Sequence, residues 1–256
     1  MRLTDLFSCV RRKSVHKRRF QEMRILQNAG DYRIIAIMVG LNNENPLQLI
    51  EVAGRTAYQS RDKITKKSAA KFAKMLRDRG HESVLEHSCM TVEFNNVSRG
   101  FTHELVRHRI ASFTQESTRY VDESDFQVVI PPGKNADEKL VKIGLTNGAE
   151  TWVSFREWMG LNEQMYRGLR IANWPPEDAR QVLPIGIKSQ IVITCNFREW
   201  RHIFSLRCSK KAHWEIRRVM TNLLSEVQAR IPVVFNDFQI NEDGQSATII
   251  TKASQS

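Results

Sequence analysis

The densest run of side chains able to do chemistry is Arg107-His108-Arg109-Ile110-Ala111-Ser112-Phe113-Thr114-Gln115-Glu116-Ser117-Thr118-Arg119-Tyr120. Two arginines flank a titratable histidine at its start. Consecutive residues diverge by about 100° on a helix and alternate on a strand, so Arg107, His108 and Arg109 cannot all face one small site on one regular element. Either the chain turns there, or the triplet serves more than one ligand or subunit. Alone, such a triplet reads as a solvated basic face. Gln115, Ser117 and Arg119 weigh against that reading, because they add donors suited to an anion and a heterocycle.

A second group runs from Asn196 to Cys208. Arg198 and His202 stand four apart, on one helix face, which suits a common ligand. Asn196 lies three residues before Glu199, the spacing of a helix N-cap pair, and can both cap and bind. Arg207 adjoins Cys208, which raises the question of a thiolate nucleophile. On a helix the two point about 100° apart, and a free cysteine is more often a small buried hydrophobe. Cys195, at a strand end, reads the same way. His81 and His87 are not the i, i+4 pair of a zinc-binding helix, so no metal site is expected. Glu86 and His87 also read as a satisfied polar pair beside a strand, Arg180 as a surface ion-pair partner, and Arg217 and Arg218 as solvated.

Together these segments resemble the flavin-dependent thymidylate synthases, the thymidylate synthase-complementing family. Arg107-His108-Arg109 followed by Ser117 and Arg119 resembles the family signature. Gly80-His81-Glu82-Ser83 with Glu86-His87, Ala53 to Tyr58, and Ala179-Arg180-Gln181-Val182-Leu183-Pro184 resemble further family segments. So do Asn196-Phe197-Arg198, His202, Ser205-Leu206-Arg207 and Ala212 to Ile216; the likeness spans residues 30–235.

The resemblance implies reductive methylation of dUMP to dTMP, with methylenetetrahydrofolate as one-carbon donor and FAD, reduced by NADPH, as hydride carrier. It implies no cysteine nucleophile. Arg207 takes the catalytic position, where a guanidinium stabilises the ionised uracil ring; a nearby cation lowers the pKa of an acid that becomes an anion. Glu104, Arg107, Gln115, Ser117, Arg119, Arg180 and Arg207 match dUMP-binding positions. His81, Ser83, Glu86, Arg107, His108, Arg109, Gln115, Asn196, Arg198 and His202 match FAD-binding positions. His81 and Tyr120 are candidate neighbours of the folate. The family is homotetrameric with interfacial active sites, which agrees with the divergent Arg-His-Arg triplet. Departures from the pattern are few. Glu104 stands where Gln is frequent, and a carboxylate repels a phosphate. Ala57 replaces a Ser or Cys, and Glu116 a more frequent Leu.

The elements that must position these residues are readable in outline. Tyr32–Met38 reads as a buried strand, and Pro46 opens a helix to Tyr58. Helices are expected over 65–79, with Gly80 as stop signal, and over 99–110. Strands are expected over Cys89–Asn95, Phe126–Ile130 and Ser189–Cys195. Residues 131–148 read as a surface loop. Helices are expected from Trp152 to Ile171, after Pro175-Pro176, and over Phe197–Cys208 and Ala212–Arg230. No regular βαβ alternation occurs, so the expected class is α+β, a mixed, largely antiparallel sheet flanked by helices in a single domain. The dinucleotide-binding G-x-G-x-x-G and the P-loop pattern are absent from the sequence.

The 256 residues carry Lys plus Arg 39 against Asp plus Glu 28, a net charge of +11, and are 41% hydrophobic. That is a globular composition. Apolar runs such as Ile34–Val39 are far too short to span a membrane. Cys9, Cys89, Cys195 and Cys208 form no disulfide framework, which fits a reducing, cytoplasmic setting. Charge concentrates in residues 1–22 and 198–218, each at 7 − 2 = +5, and implies anionic partners. The expected division is a basic N-terminal arm at 1–22, disordered or untranslated, with Met23 opening the globular part, an enzyme domain at 23–240, and a polar, loose tail at 241–256. A second reading makes 198–218 a nucleic-acid surface, which needs Trp200 and Trp214 free for stacking. Their helical spacing with Ile203, Phe204 and Ile216 marks them as core instead. RNA contact by the arm is compatible with the enzyme.

Overall fold

The computed structural model describes residues 23–40, 45–124, 126–144 and 148–250; the basic arm expected at 1–22 lies outside the described residues. In chain order come β1 (Arg24–Gln27), β2 (Asp31–Ile37), α1 (Leu47–Ala57) and α2 (Ser68–Asp78). A 3-10 segment, Glu82–His87, precedes β3 (Cys89–Ser98), which runs straight into α3 (Arg99–Leu105). Next are β4 (Ser112–Gln115), β5 (Gln127–Ile130), β6 (Lys139–Gly144), β7 (Glu150–Ser154), α4 (Phe155–Ile171) and a short α5 (Pro176–Ala179). The last part holds β8 (Lys188–Asn196), α6 (Phe197–Arg207), α7 (Trp214–Arg230), a short α8 (Pro232–Phe235), β9 (Phe238–Ile240) and β10 (Ala247–Ile249).

The expected α+β class is observed. The central sheet has four strands in the order β2-β3-β8-β4, every pair antiparallel. β1 and β5 form a separate parallel pair. On the central strands the period-2 pattern puts one face inward: Met90, Val92 and Phe94 of β3 and Ile191, Ile193 and Cys195 of β8 are buried. α6 and α7 cover that face with Phe197, Trp200, Ile203 and Phe204, and with Ile216, Val219, Met220 and Leu223. Trp200 is fully buried and its Nε1–H donates to the Met90 carbonyl (3.1 Å), which pins α6 to the sheet.

Helix starts follow local side-chain chemistry. Asn196 Oδ1 accepts the Glu199 amide (2.9 Å) and Ser98 Oγ accepts the Phe101 amide (3.1 Å). Ser154 and Glu157 form a reciprocal capping box at α4. That cap corrects one expectation: α4 begins at Phe155 because Glu150–Ser154 is drawn into β7, which pairs with β6. The surface loop expected over 131–148 accordingly contains β6. The helix expected over 99–110 stops at Leu105. The backbone tightens there, with His108 N–H on the Leu105 carbonyl (3.2 Å), and β4 then pairs with β8. The tail expected to be loose is ordered through Ile250 as the β9-β10 hairpin. No helix among the described residues is long and apolar enough to cross a membrane.

Candidate active site

The turn after α3 separates the Arg-His-Arg side chains, as their consecutive spacing requires. His108 is buried, while Arg107 and Arg109 are exposed with no ion-pair partner among the described residues. The buried imidazole meets the end of α6. Arg207 Nε–H donates to His108 Nε2 (3.0 Å), Nη1 donates to Glu104 Oε2 (2.8 Å) and Nη2 to the Glu104 carbonyl (2.9 Å). All three guanidinium nitrogens are thus engaged, which fixes its plane. An Nε2 that accepts places the proton of neutral His108 on Nδ1, 3.3 Å from Glu199 Oε1. Burial, then the Arg207 charge, then His202 push the His108 pKa down to about 4. Burial raises the Glu199 carboxyl.

His108 lines neither of two nearby cavities but touches Arg207 of the first and Glu199 and His202 of the second. The first, about 610 Å³, is lined by Glu104, Arg107 and Arg207 together with His103, His213 and Trp214. At its base the buried Glu215 carboxylate accepts from the Ser98 amide (2.7 Å) and hydroxyl (2.5 Å). The second, about 530 Å³, is lined by Glu86, Asn196, Arg198 and His202 together with Glu199 and Arg201. The His108 and His202 rings meet edge to face at 5.6 Å. His108, Glu199 and His202 place ligand atoms within 4.8 Å of one another. His108 Nε2 accepts from Arg207, which leaves Nδ1 as the nitrogen turned toward Glu199.

The remaining expected site residues lie elsewhere. Gln115 turns inward and donates to Thr102 Oγ1 (2.8 Å) and Ser189 Oγ (3.2 Å). Ser117, Arg119 and Arg180 form a third group. Ser117 Oγ accepts the Arg119 amide (3.3 Å), Arg119 Nε lies 3.8 Å from Glu177, and Arg180 Nη1 donates to Thr118 Oγ1 (3.5 Å). None of these four residues lines either cavity, nor do His81, Ser83 and Arg109. His81 and Ser83 are exposed, and the His81 amide caps α2 on the Leu76 carbonyl. Arg198 Nη1 donates to Glu86 (2.6 Å), so the pair read as ligands is also an ion pair.

Some lining residues were not singled out as site residues by the sequence. Arg201 is buried and grips Asp237 through two bonds of 2.7 Å. The His213 and Trp214 rings meet tilted by 48° at 5.1 Å beside the first cavity. Glu199 had a signal, as the N3 partner of Asn196, but not for its approach to His108. In the basic stretch 198–218 Trp200 is core as expected, but Trp214 is only half-buried and lines the first cavity, so the expectation of two core indoles fails for it; the Arg201, Arg207, Arg217 and Arg218 guanidiniums hydrogen-bond within the fold. Cys208 is fully buried and burial pushes its thiol up to about 12; burial also raises Cys195 and Cys89.

A family model described as thymidylate synthase complementing protein matches residues 39–233. A flavin-dependent thymidylate synthase of Mycobacterium sp. strain KMS is 38% identical over 207 residues, 77% of this chain and 82% of that protein. Its counterpart in Mycobacterium tuberculosis is 38% identical over 210 residues, covering 79% and 84%. Among solved structures, a UMP/dUMP methylase, PolB, from Streptomyces cacaoi with 5-Br dUMP aligns at TM-score 0.63, with 22% identity, over 83% of this chain and 95% of that one. Thymidylate synthase X from Helicobacter pylori with FAD and dUMP aligns at TM-score 0.59, with 20% identity, covering 84% and 99%.

Proposed function

This chain belongs to the thymidylate synthase complementing family, and from that premise we propose that it methylates dUMP reductively to dTMP, with methylenetetrahydrofolate as donor and FAD reduced by NADPH. The observation that carries the reading is the Arg207 guanidinium, immobilised on three bonds at the wall of a cavity that also holds Arg107, which has no ion-pair partner among the described residues. A planar cation beside the uracil edge stabilises the imide anion and pushes electron density toward the carbon that receives the methylene. His108 keeps Arg207 oriented as a neutral acceptor. Its low pKa supports that role, because an imidazolium would have no lone pair to offer. Glu104 holds Nη1 until the nucleotide takes its place.

The buried thiols Cys208 and Cys195 support a route without cysteine attack, since a thiolate is strongly disfavoured at either. The second cavity is the flavin side of this proposal. Its donors suit a dinucleotide: Asn196, Arg198 and His202 line it beside the carboxylates of Glu82, Glu86 and Glu199. FAD bound there supplies the reducing equivalents that the methyl group requires. His81, Ser83, Glu86 and Gln115 are proposed as further flavin contacts. Ser117, Arg119, Arg180 and Gln115 are proposed to hold the nucleotide, chiefly its phosphate. Arg207 lines the first cavity whereas Ser117, Arg119 and Arg180 line neither, and a homotetramer with sites shared between subunits would bring the two sets together.

Purified protein should show flavin absorbance, oxidise NADPH in the presence of dUMP, and release dTMP when methylenetetrahydrofolate is added. A protein that cannot be loaded with FAD sinks the proposal. Arg207→Ala should keep the fold and lose turnover by on the order of 10²–10³-fold; near-normal turnover removes Arg207 from its role. A covalent thioether between enzyme and nucleotide, sought by mass spectrometry during turnover, would refute the cysteine-free route.

A further inference from the structure

The family match ends at residue 233, yet the next segment reaches the second cavity. β9 and β10 are fastened to the body of the protein. The Ala247 amide donates to the Cys208 carbonyl at the end of α6 (2.9 Å), and the Ile250 amide donates to the Asp237 carbonyl (2.8 Å). Asp237 accepts both bonds from Arg201, whose Nε also donates to Glu82 (3.2 Å). Ser246 and Ala247 are buried. The hairpin is therefore a fixed wall, and its last strand presents Ile249 to the cavity.

That cavity is otherwise polar. Among the described residues Ile249 and Ile110 are its only aliphatic lining residues, and they come from segments more than a hundred positions apart. Ile110 is 70% exposed, directly after the Arg-His-Arg triplet. An aliphatic side chain left in water at a polar cavity gains free energy when a flat apolar surface covers it, at roughly 25 cal/mol per Å². A planar heteroaromatic ring offers that surface, with its polar edge free for Asn196, Arg198 and His202.

We infer that the C-terminal hairpin is part of the flavin site, with Ile249 and Ile110 packing against a ring system of the bound dinucleotide. The inference rests on the flavin reading of this cavity and adds residues outside the segment that carries the family likeness. FAD has two such rings, and FMN lacks the adenine, so comparing the two ligands tells which ring is touched.

The test measures FAD and FMN affinity of the full-length apoprotein by flavin fluorescence, for wild type, Ile249→Ser, Ile249→Leu and Ile110→Ser. Ile249→Ser and Ile110→Ser should each bind FAD about tenfold more weakly, about 1.4 kcal/mol. Ile249→Leu should stay within twofold of wild type. Loss with FAD alone places the contact at the adenine, and loss with both ligands, with a shifted flavin absorbance band, places it at the isoalloxazine. Either result supports the inference. Ile249 also packs against the core, so its serine variant is checked by circular dichroism; the exposed Ile110 gives a second readout free of that concern. Wild-type affinity in a folded Ile249→Ser, or in Ile110→Ser, overturns the inference alone. Failure of the wild type to bind FAD overturns it together with the proposed function.

Discussion

Arg207 is held by a charged partner and a neutral one, and the two have different consequences. Glu104 offsets the guanidinium charge and, in the proposed function, competes with an anionic nucleotide for it. Glu104→Gln keeps an acceptor for Nη1 but removes that charge. The variant should lower KM for dUMP a few-fold, a modest change because the pair is partly exposed; an unchanged or higher KM would show that Glu104 does not compete. Arg207→Lys keeps the charge but loses the fork that meets His108 and Glu104 together, so it should be nearly as inactive as the alanine variant in dTMP formation. Glu123 lies in the segment after Ser117 and Arg119, and its amide donates to buried Tyr166 (3.2 Å). Burial, then Glu116, raise its pKa to about 7, with Lys188 and Arg99 opposing and Asp122 adding to the rise. A carboxyl whose pKa is raised on folding favours the folded state while protonated. Its contribution is complete below the ordinary value of 4.5 and is lost as pH rises to about 7. Glu123→Gln should remove that decline. Between pH 5 and pH 8 its urea midpoint should fall less than that of wild type, and parallel profiles would contradict the assignment.

At the level of elements, the strong signals were those that one strand or helix contains within itself. β3 and β8 announce themselves by alternation, and α6 by an N-cap followed by a buried stripe, because these patterns depend on backbone period alone. β4 was not legible. Ser112–Gln115 is short and becomes a strand by pairing with β8, while the polar run around it reads as a binding loop. The same holds for β6 and β7, and for the closing hairpin, whose anchor points on Cys208 and Arg201 are remote in sequence. The α1-α2 pair rests on a close approach at Gly54. A Cβ there would lie 2.6 Å from Leu76 Cδ1 and 2.8 Å from the Phe72 ring. Gly54→Ala gains up to about 1 kcal/mol of helix propensity, against about 1–3 kcal/mol for overpacking beside the buried Leu76. The overpacking term wins because Leu76 has little room to move. A net loss of about 1 kcal/mol should lower the melting temperature by about 2–4 °C, and a more stable variant would show that the helices separate freely.

For the whole molecule, Arg207 lines the first cavity while the Arg119-Arg180 group lines neither, and the proposed function needs them at one nucleotide. If subunits share sites as proposed, mixing Arg207→Ala with Arg119→Ala should restore activity that neither has alone, through hybrid assemblies with one intact site. The regain should follow subunit exchange, and light scattering should give the mass of four chains. No regain after demonstrated exchange, or a monomer in solution, would refute shared sites.

Residue types and spacings by themselves determined the family likeness, the α+β class, the divergence of the Arg-His-Arg side chains and the cap of α6. All of these depend on near neighbours or on the order of motifs along the chain. Only the tertiary structure decided that Glu104 and His108 both hold Arg207, that Gln115 points inward, that Arg201 ties the last hairpin down, and that Ile249 enters a polar cavity. Each joins residues far apart in sequence, and which partner meets which depends on how α6 lies across the sheet, a packing result that no local period encodes.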